Sequence, residues 1–507
     1  MAKKITFLSC FILLTLSLIP SAAQPQHAPL GMNLGGVVSY MTDTPFVDVF
    51  RTARPWISNC DGCTWDGGGE IDLTPEGWVA SLKPNHYADT VMLDGETPIP
   101  DGEYVVLYVG VGTLDFPLNT PQIISHEVGR IVIRPQASGG LWLRISATDP
   151  ANPLRDIRVI LPGFEATYAS QPFHPTYLER LQGFTVLRFM DWMATNNSPI
   201  QTWEQRPQLT DATWGAERGV PVEIMIQLAN TVHADPWFTL PHLADDAYIR
   251  EFATVVRDSL EDGRRAYIEY SNETWNGAFS QAREVIERGQ ALGLSGDAFQ
   301  AGLFYHAKRA VEIFTIWEDV FGGTDRLVRV LAAQAANPWT SEQVATFGDA
   351  YQHADAIAIA PYFGHTYGNP DGLTQTLSLT PEQLIDALRG EVQTGVREML
   401  EGTKAVADAF GLEMVAYEGG QHLAGFSGAE NNDSLTALFH AANRNPAMGE
   451  LYEEYLTLWN EVGGGVFTVF TYVGGYSKWG SWGVLEYLTQ PVDDAPKYRS
   501  LRAYLDS

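Results

Sequence analysis

Two glutamates at the ends of apolar runs hold the chemistry of this chain. Glu273 stands in Arg265-Ala266-Tyr267-Ile268-Glu269-Tyr270-Ser271-Asn272-Glu273-Thr274-Trp275-Asn276, where an apolar strand gives way to an amphipathic helix. Glu418 ends a second such run in Val415-Ala416-Tyr417-Glu418-Gly419-Gly420. Two carboxyl groups flanking a glycosidic bond are the minimum equipment for cleaving it. One protonates the leaving oxygen and then activates water, while the other attacks the anomeric carbon. Glu273, beside the amide of Asn272, suits the acid/base role. A partly desolvated setting and a nearby carboxylate would raise its pKa as that role requires. The alternative is that Glu273 merely caps the following helix. A nucleophilic mechanism needs the two carboxyl groups roughly 5 to 5.5 Å apart, and a wider gap implies direct attack by water.

Residues this far apart in sequence need a scaffold that brings strand ends together. Strand-like segments fall at 32–37, 185–189, 222–228, 266–270, 327–331, 356–360, 414–417 and 466–472. Helical patterns separate most of them, as at 246–260, 278–292, 380–410 and 450–461. Short apolar strands alternating with helices predict an α/β fold, a (β/α)8 TIM barrel, with catalytic groups at the C-terminal ends of its strands. The segment 58–153 breaks the rhythm. It is rich in Gly and Pro, and its runs at 104–109, 129–133 and 141–145 alternate like antiparallel strands. It predicts an all-β, sandwich-like domain inserted in the first β/α connection, after a first helix at 45–54. The expected layout is a signal peptide at 1–23, the first barrel strand and helix at 24–57, the insert at 58–153, and the rest of the barrel at 154–507. Within the insert, Trp65, Trp78, Phe116 and Trp142 are either polysaccharide contacts or core aromatics.

The segment Glu269-Tyr270-Ser271-Asn272-Glu273 resembles the Glu-x-x-Asn-Glu end of strand four in clan A glycoside hydrolases, retaining (β/α)8-barrel enzymes that include the family 5 cellulases and mannanases. The resemblance covers about three-quarters of the chain and leaves out the insert. It implies that Glu273 is the acid/base, Asn272 its sugar-binding neighbour, and Glu418 the nucleophile on strand seven. Leu187-Arg188-Phe189 resembles the strand-two Arg that supports the nucleophile, and Pro361-Tyr362 the strand-six Tyr that touches it. Gly31-Met32-Asn33-Leu34-Gly35-Gly36 resembles the start of many family 5 barrels. The chain departs from that family at Ala360, where a His is usual, with His365 following the Tyr instead. It departs again at strand eight, which ends Phe470-Thr471-Tyr472 rather than in a Trp. These differences imply a separate, divergent branch of the clan. In layout the chain is also similar to secreted proteins labelled cellulose-binding, which implies carbohydrate contact.

Sugar rings stack on aromatic faces and need hydrogen bonds at their edges. Trp192, Trp237, Trp275, Trp339, Trp479 and Trp482 follow the predicted strand ends, with Trp275, Trp479 and Trp482 the best-placed platforms. Each is otherwise a core residue. Asp191 either contacts substrate or pairs with Arg188. His233, after the predicted third strand, binds a sugar hydroxyl or makes a structural hydrogen bond. Gln334, His365 and the Gln421-His422 pair are similar candidates. No metal-ligand spacing, phosphate loop or nucleophile elbow is recognisable, so no cofactor is expected.

Composition sets outer limits. The stretch 1–23 has Lys3 and Lys4, an apolar run and Ser21-Ala22-Ala23, the pattern of a cleaved secretory signal. Secretion or export to a periplasm is the expected localisation. Cys60 and Cys63, in Cys60-Asp61-Gly62-Cys63, then form a local disulfide, with redox or metal roles as alternatives. A formal net charge of −29 argues against nucleic acid and other polyanions as partners. A neutral or cationic polymer is compatible, and the acidity otherwise serves solubility. The favoured reading is a retaining hydrolase of a β-linked polysaccharide, β-glucan first, mannan or xylan next. The rival is a non-catalytic carbohydrate-binding protein on the same scaffold. A glycan esterase would need a Ser–His pair or metal ligands that no motif supplies.

Overall fold

The computed structural model describes residues 27–95 and 99–507, so the predicted signal segment 1–23 lies outside the described residues. Eight parallel strands close into a barrel: Leu30–Asn33, Val186–Arg188, Asp235–Leu240, Ala266–Tyr270, Leu327–Ala332, Ala356–Ile359, Glu413–Ala416 and Phe467–Val469. Closure is explicit in the pairing of Leu30 with Phe467 and Gly31 with Thr468. Helices cover the outside, and the buried apolar residues separate into two layers. Leu187, Phe238, Ile268 and Tyr270 face the helices. Val186, Trp237, Tyr267, Val330, Val415 and Tyr417 fill the barrel interior. Neighbouring positions on a strand point to opposite faces, so Arg188, two residues after Val186, and Glu269, two after Tyr267, are aimed into the interior.

The third strand corrects the sequence expectation. Residues 222–228 are helix, part of Val222–Val232, and the strand is Asp235–Leu240. A short apolar run fits a buried strand and a buried helix equally well. Here Val222, Met225, Ile226, Ala229 and Val232 are buried at helical spacing, and Pro221 stands at the helix start. The true strand contains Pro236, which argues against a strand in sequence. The predicted first helix at 45–54 is also absent, and only a single 3-10 turn, Val49–Thr52, forms there. The predicted helix 380–410 runs as Pro381–Glu391, a π turn at Val392–Val396, and Arg397–Phe410.

Between the first strand and helix Pro175–Leu181 lie two four-stranded antiparallel sheets and a small two-stranded one. The two larger sheets share a core that includes Ala88, Leu143 and Ile145 from one and Val106, Ile131 and Val159 from the other. The last strand, Arg155–Ile160, pairs with Tyr104–Val109, so this β structure continues past residue 153. Among the described residues no helix is long and apolar enough to cross a membrane.

Candidate active site

The strand-four exit is built from unusual backbone. After Tyr270 the chain turns through Ser271 at φ 59° and Glu273 at φ 40°, both left-handed and neither glycine. Such conformations cost roughly 1–2 kcal/mol each, so surrounding bonds must hold them. The Gln281 amide donates to the Asn272 carbonyl at 2.9 Å and to Asn196 Oδ1 at 2.7 Å. The Asn276 backbone N–H closes a turn onto the Glu273 carbonyl at 2.8 Å. The result lifts the Glu273 carboxyl to the rim, where it is partly exposed. It accepts hydrogen bonds from Asn276 Nδ2 at 2.8 Å and Tyr417 Oη at 3.2 Å.

Glu418 follows the seventh strand and is 6% exposed. Two glycines come next because the space demands them. A Cβ on Gly419 would lie 2.3 Å from the Phe467 ring, and Gly420 sits at φ 137°. Glu418 accepts from Arg188 Nη1 at 2.8 Å and from Tyr362 Oη at 2.9 Å, a guanidinium and a phenol that suit a carboxylate. Burial pushes the Tyr362 hydroxyl well above its usual range, and the charges of Glu418 and Glu273 push it further, so it donates.

Arg188 joins the whole arrangement. It is fully buried, and its five N–H groups all have acceptors. Nε and Nη2 form a bidentate pair with Glu269 at 3.0 Å each, Nη1 reaches Asn33 at 3.2 Å as well as Glu418, and Nη2 reaches Asn272 Oδ1 at 2.9 Å. The Tyr417 ring centre lies 4.9 Å from the guanidinium carbon and that of Trp237 5.7 Å away, adding cation–π attraction. Glu269 also accepts from the Trp237 indole at 2.8 Å. Burial raises Glu269 and Arg188 opposes that rise. Because its hydrogen-bond partners are all donors, the anion is the form that fits.

One buried cation thus directly contacts two carboxylates, and Glu273 has no ion-pair partner among the described residues. Burial, and next the charge of Glu418, raise Glu273 from 4.5 to about 7. This has a consequence for stability. Between pH 4.5 and about 7 the unfolded chain loses this proton while the folded chain keeps it, so stability falls as pH rises through that window. A shift of this size corresponds to about 3 kcal/mol as an upper figure. Glu273→Gln is therefore expected to be more stable than the parent protein at pH 8 and to lose that advantage at pH 4. Urea unfolding at the two pH values checks this, and an unchanged difference between them would refute it.

The other candidates divide into those at the mouth and those elsewhere. Trp482 lines it, with ring centres 5.8 Å from Tyr362 and 4.6 Å from His422, while Phe470, unassigned in sequence, stands 5.9 Å from Trp482. Trp479, 65% exposed, lies on the same loop. Gln421 pins that loop, its amide donating to the Ser481 carbonyl at 2.8 Å. His365 and His422 meet through their Nδ1 atoms at 3.3 Å, and burial, with His365 alongside, lowers His422 to about 4. Trp275 is half-buried against the outer core, and Gln334, half-buried after the fifth strand, bonds through its backbone N–H to Thr340. Asp191 does not pair with Arg188, whose donors are all taken. Burial and then the Glu418 charge raise it to about 7.

Two candidates are overturned. His233 caps helix Val222–Val232 just before the third strand begins, at the opposite end of the barrel, with Glu261 3.4 Å away. Trp192 is fully buried, packed 5.6 Å from both Phe46 and Phe189, and cannot meet a ligand. Asn272 is in the cluster, but Arg188 and Asn196 occupy its amide, leaving it 2% exposed. In the insert, Trp78 and Phe116 are core, whereas Trp65 is exposed and Trp142 half-buried. Cys60 and Cys63 are joined in a disulfide. Among the described residues no group of three or more His, Cys, Asp or Glu is arranged to hold a metal. Glu269 and Tyr417 have no role assigned from sequence, and Trp237, a candidate platform or core residue there, is fully buried in the barrel interior. Their signal was the period of two along each strand, which aims them inward.

No family model matches the chain, and no curated protein matches it. Among solved structures it is similar to the GH51 arabinofuranosidase from Xanthomonas axonopodis pv. citri, at 12% identity and a TM-score of 0.38 over 60% of this chain and 61% of that one. It is also similar to a 4-O-α-L-rhamnosyl-β-D-glucuronidase from Fusarium oxysporum 12S, at 12% identity and a TM-score of 0.40 over 68% and 66%. A third is the hyperthermostable endo-1,4-β-D-mannanase from Thermotoga petrophila RKU-1, at 13% identity and a TM-score of 0.35 over 65% and 93%. The chain thus spans about three-fifths to two-thirds of the first two. The barrel is defined by its own strand pairing, and no chemistry of this chain follows from these likenesses.

Proposed function

We propose that this protein is a secreted retaining glycoside hydrolase that cleaves a β-linked polysaccharide by double displacement, with β-glucan the first substrate class and mannan or xylan the next. The observation that carries the reading is the division of labour between two carboxyl groups at one barrel mouth. Glu418 rests against Arg188 and Tyr362, donors that aim a carboxylate at a reacting carbon. Glu273, outside the reach of the cation's hydrogen bonds, is raised to about 7 and holds a proton to give. Glu418 attacks the anomeric carbon, the glycosidic C–O bond breaks, and the leaving oxygen takes the Glu273 proton. Glu273 then removes a proton from water, which attacks the glycosyl–Glu418 ester and frees both the sugar and Glu418. Trp482, Tyr362 and Phe470 supply aromatic surface beside that centre.

Two readouts of one reaction test this. Proton NMR during hydrolysis should show the β anomer forming first, since two displacements retain configuration. The rate should fall above pH about 7 as Glu273 loses its proton. First appearance of the α anomer, or a profile flat to pH 9, would sink the mechanism. Polymer binding without any hydrolysis would favour the carbohydrate-binding rival.

A further inference from the structure

The β insert has a surface that the barrel chemistry does not use. Strand Leu141–Thr148 buries Leu141, Leu143 and Ile145, which by alternation turns Trp142, Arg144 and Ser146 outward. On that outer face the Arg144 guanidinium lies 3.6 Å from the centre of the Tyr87 ring and forms a bidentate pair with Asp89 at 2.7 and 2.8 Å. Trp65 reaches the same face from the loop after strand Ile57–Cys60. Its ring centre is 5.7 Å from that of Trp142, with the two planes at 79°.

Trp65 is 56% exposed, yet its loop is firmly anchored. The Cys60–Cys63 disulfide closes one side. On the other, the Asp66 backbone N–H donates to Asn59 Oδ1 at 2.9 Å, and Asp66 Oδ1 accepts from the Ser58 N–H at 3.0 Å. A covalent bond and paired hydrogen bonds thus hold an indole in water, where leaving so large an apolar group costs free energy. Beyond Arg144 an open hollow of about 640 Å³ continues along the sheet, lined by Lys83, His86, Tyr87, Asp115, Arg144 and Ser146.

We propose that this face binds an uncharged polysaccharide chain, seated on Trp65 and Trp142 and hydrogen-bonded along the hollow. Aromatic faces beside amphoteric polar groups are the surface a sugar ring needs. From Trp142 to Ser146 the strand runs about 13 Å, which favours an extended chain over a single sugar. Charge selects its type. Arg144 is neutralised by Asp89, and a protein of net charge −29 repels polyanions. This inference stands independently of the barrel reaction.

The test uses the full chain with the Glu418→Gln substitution, run in native gels containing soluble β-glucan, mannan, xylan or an anionic polymer. At least one neutral polymer should retard it. Trp65→Ala and Trp142→Ala on that background should each weaken the apparent affinity tenfold or more with the melting temperature unchanged. If Trp142→Ala disturbs folding, the exposed Trp65 alone decides. In the parent background Trp65→Ala should leave hydrolysis of short oligosaccharides intact. Retardation indifferent to Trp65 would assign binding to the barrel and overturn the inference. So would retardation by no polymer, or by the anionic one alone. Self-association in sedimentation that Trp65→Ala removes would make the face an interface between copies and overturn it equally. Trp65-dependent binding in a protein without hydrolytic activity would leave this inference standing and remove the barrel reading.

Discussion

Glu418→Gln is expected to lower the turnover number by at least about four orders of magnitude, the scale seen when a covalent nucleophile is removed. The amide keeps the size of the side chain, and its oxygen still accepts from Arg188 Nη1. The fold should therefore survive, with a melting temperature within a few degrees of the parent. What is lost is the negative charge that attacks the anomeric carbon. Glu273→Gln should lose less, about two to four orders, because it removes proton transfer alone. Its deficit should shrink on aryl glycosides whose leaving group needs no proton. Initial rates on such a substrate separate the two residues, and equal losses on all substrates would contradict the assigned roles.

The second large effect concerns stability. Arg188→Met should destabilise the protein by about 3–5 kcal/mol, the usual consequence of stranding a buried charge. Glu269 is fully buried and keeps a single donor, the Trp237 indole, once the guanidinium is gone. Glu418 loses its cation at the same time. Arg188→Lys should recover part of the loss through charge, but no ammonium reproduces five planar donors. The double variant Arg188→Met/Glu269→Leu should regain more, since the stranded anion is removed with its partner. Urea unfolding monitored by tryptophan fluorescence measures all three, and a loss under about 1 kcal/mol for Arg188→Met would contradict the network.

These effects also show how far the sequence could be read. Seven of the eight barrel strands stand at or within two to four residues of their expected places, because short apolar runs between helices leave a parallel barrel as the economical solution. The third strand was hidden by Pro236 and mimicked by a buried helix whose apolar residues are nearly continuous. That single shift misplaced His233, moving it from the mouth to the far end of the barrel. Arg188, Tyr362, Glu273 and Glu418 could be proposed together because each sits at a strand end, the only part of the sequence a barrel gathers in one place. What sequence could not give was the distribution of hydrogen bonds. Arg188 spends its donors on Glu269, Asn33 and Asn272 as well as Glu418, which excludes Asp191 and closes off Asn272. Trp192 was misread for a related reason: a tryptophan near a strand end packs inward or outward according to neighbours such as Phe46, which lies 146 residues away in sequence.

The central claim is that Glu273 and Glu418 together break a glycosidic bond. The most direct measurement is the release of reducing ends from a panel of β-glucans, mannans, xylans and algal polysaccharides by the parent protein, Glu273→Gln and Glu418→Gln, purified identically. Release from at least one polymer by the parent, with none above background from Glu418→Gln and a small residue from Glu273→Gln, is the predicted result. Undiminished release by both variants would contradict it.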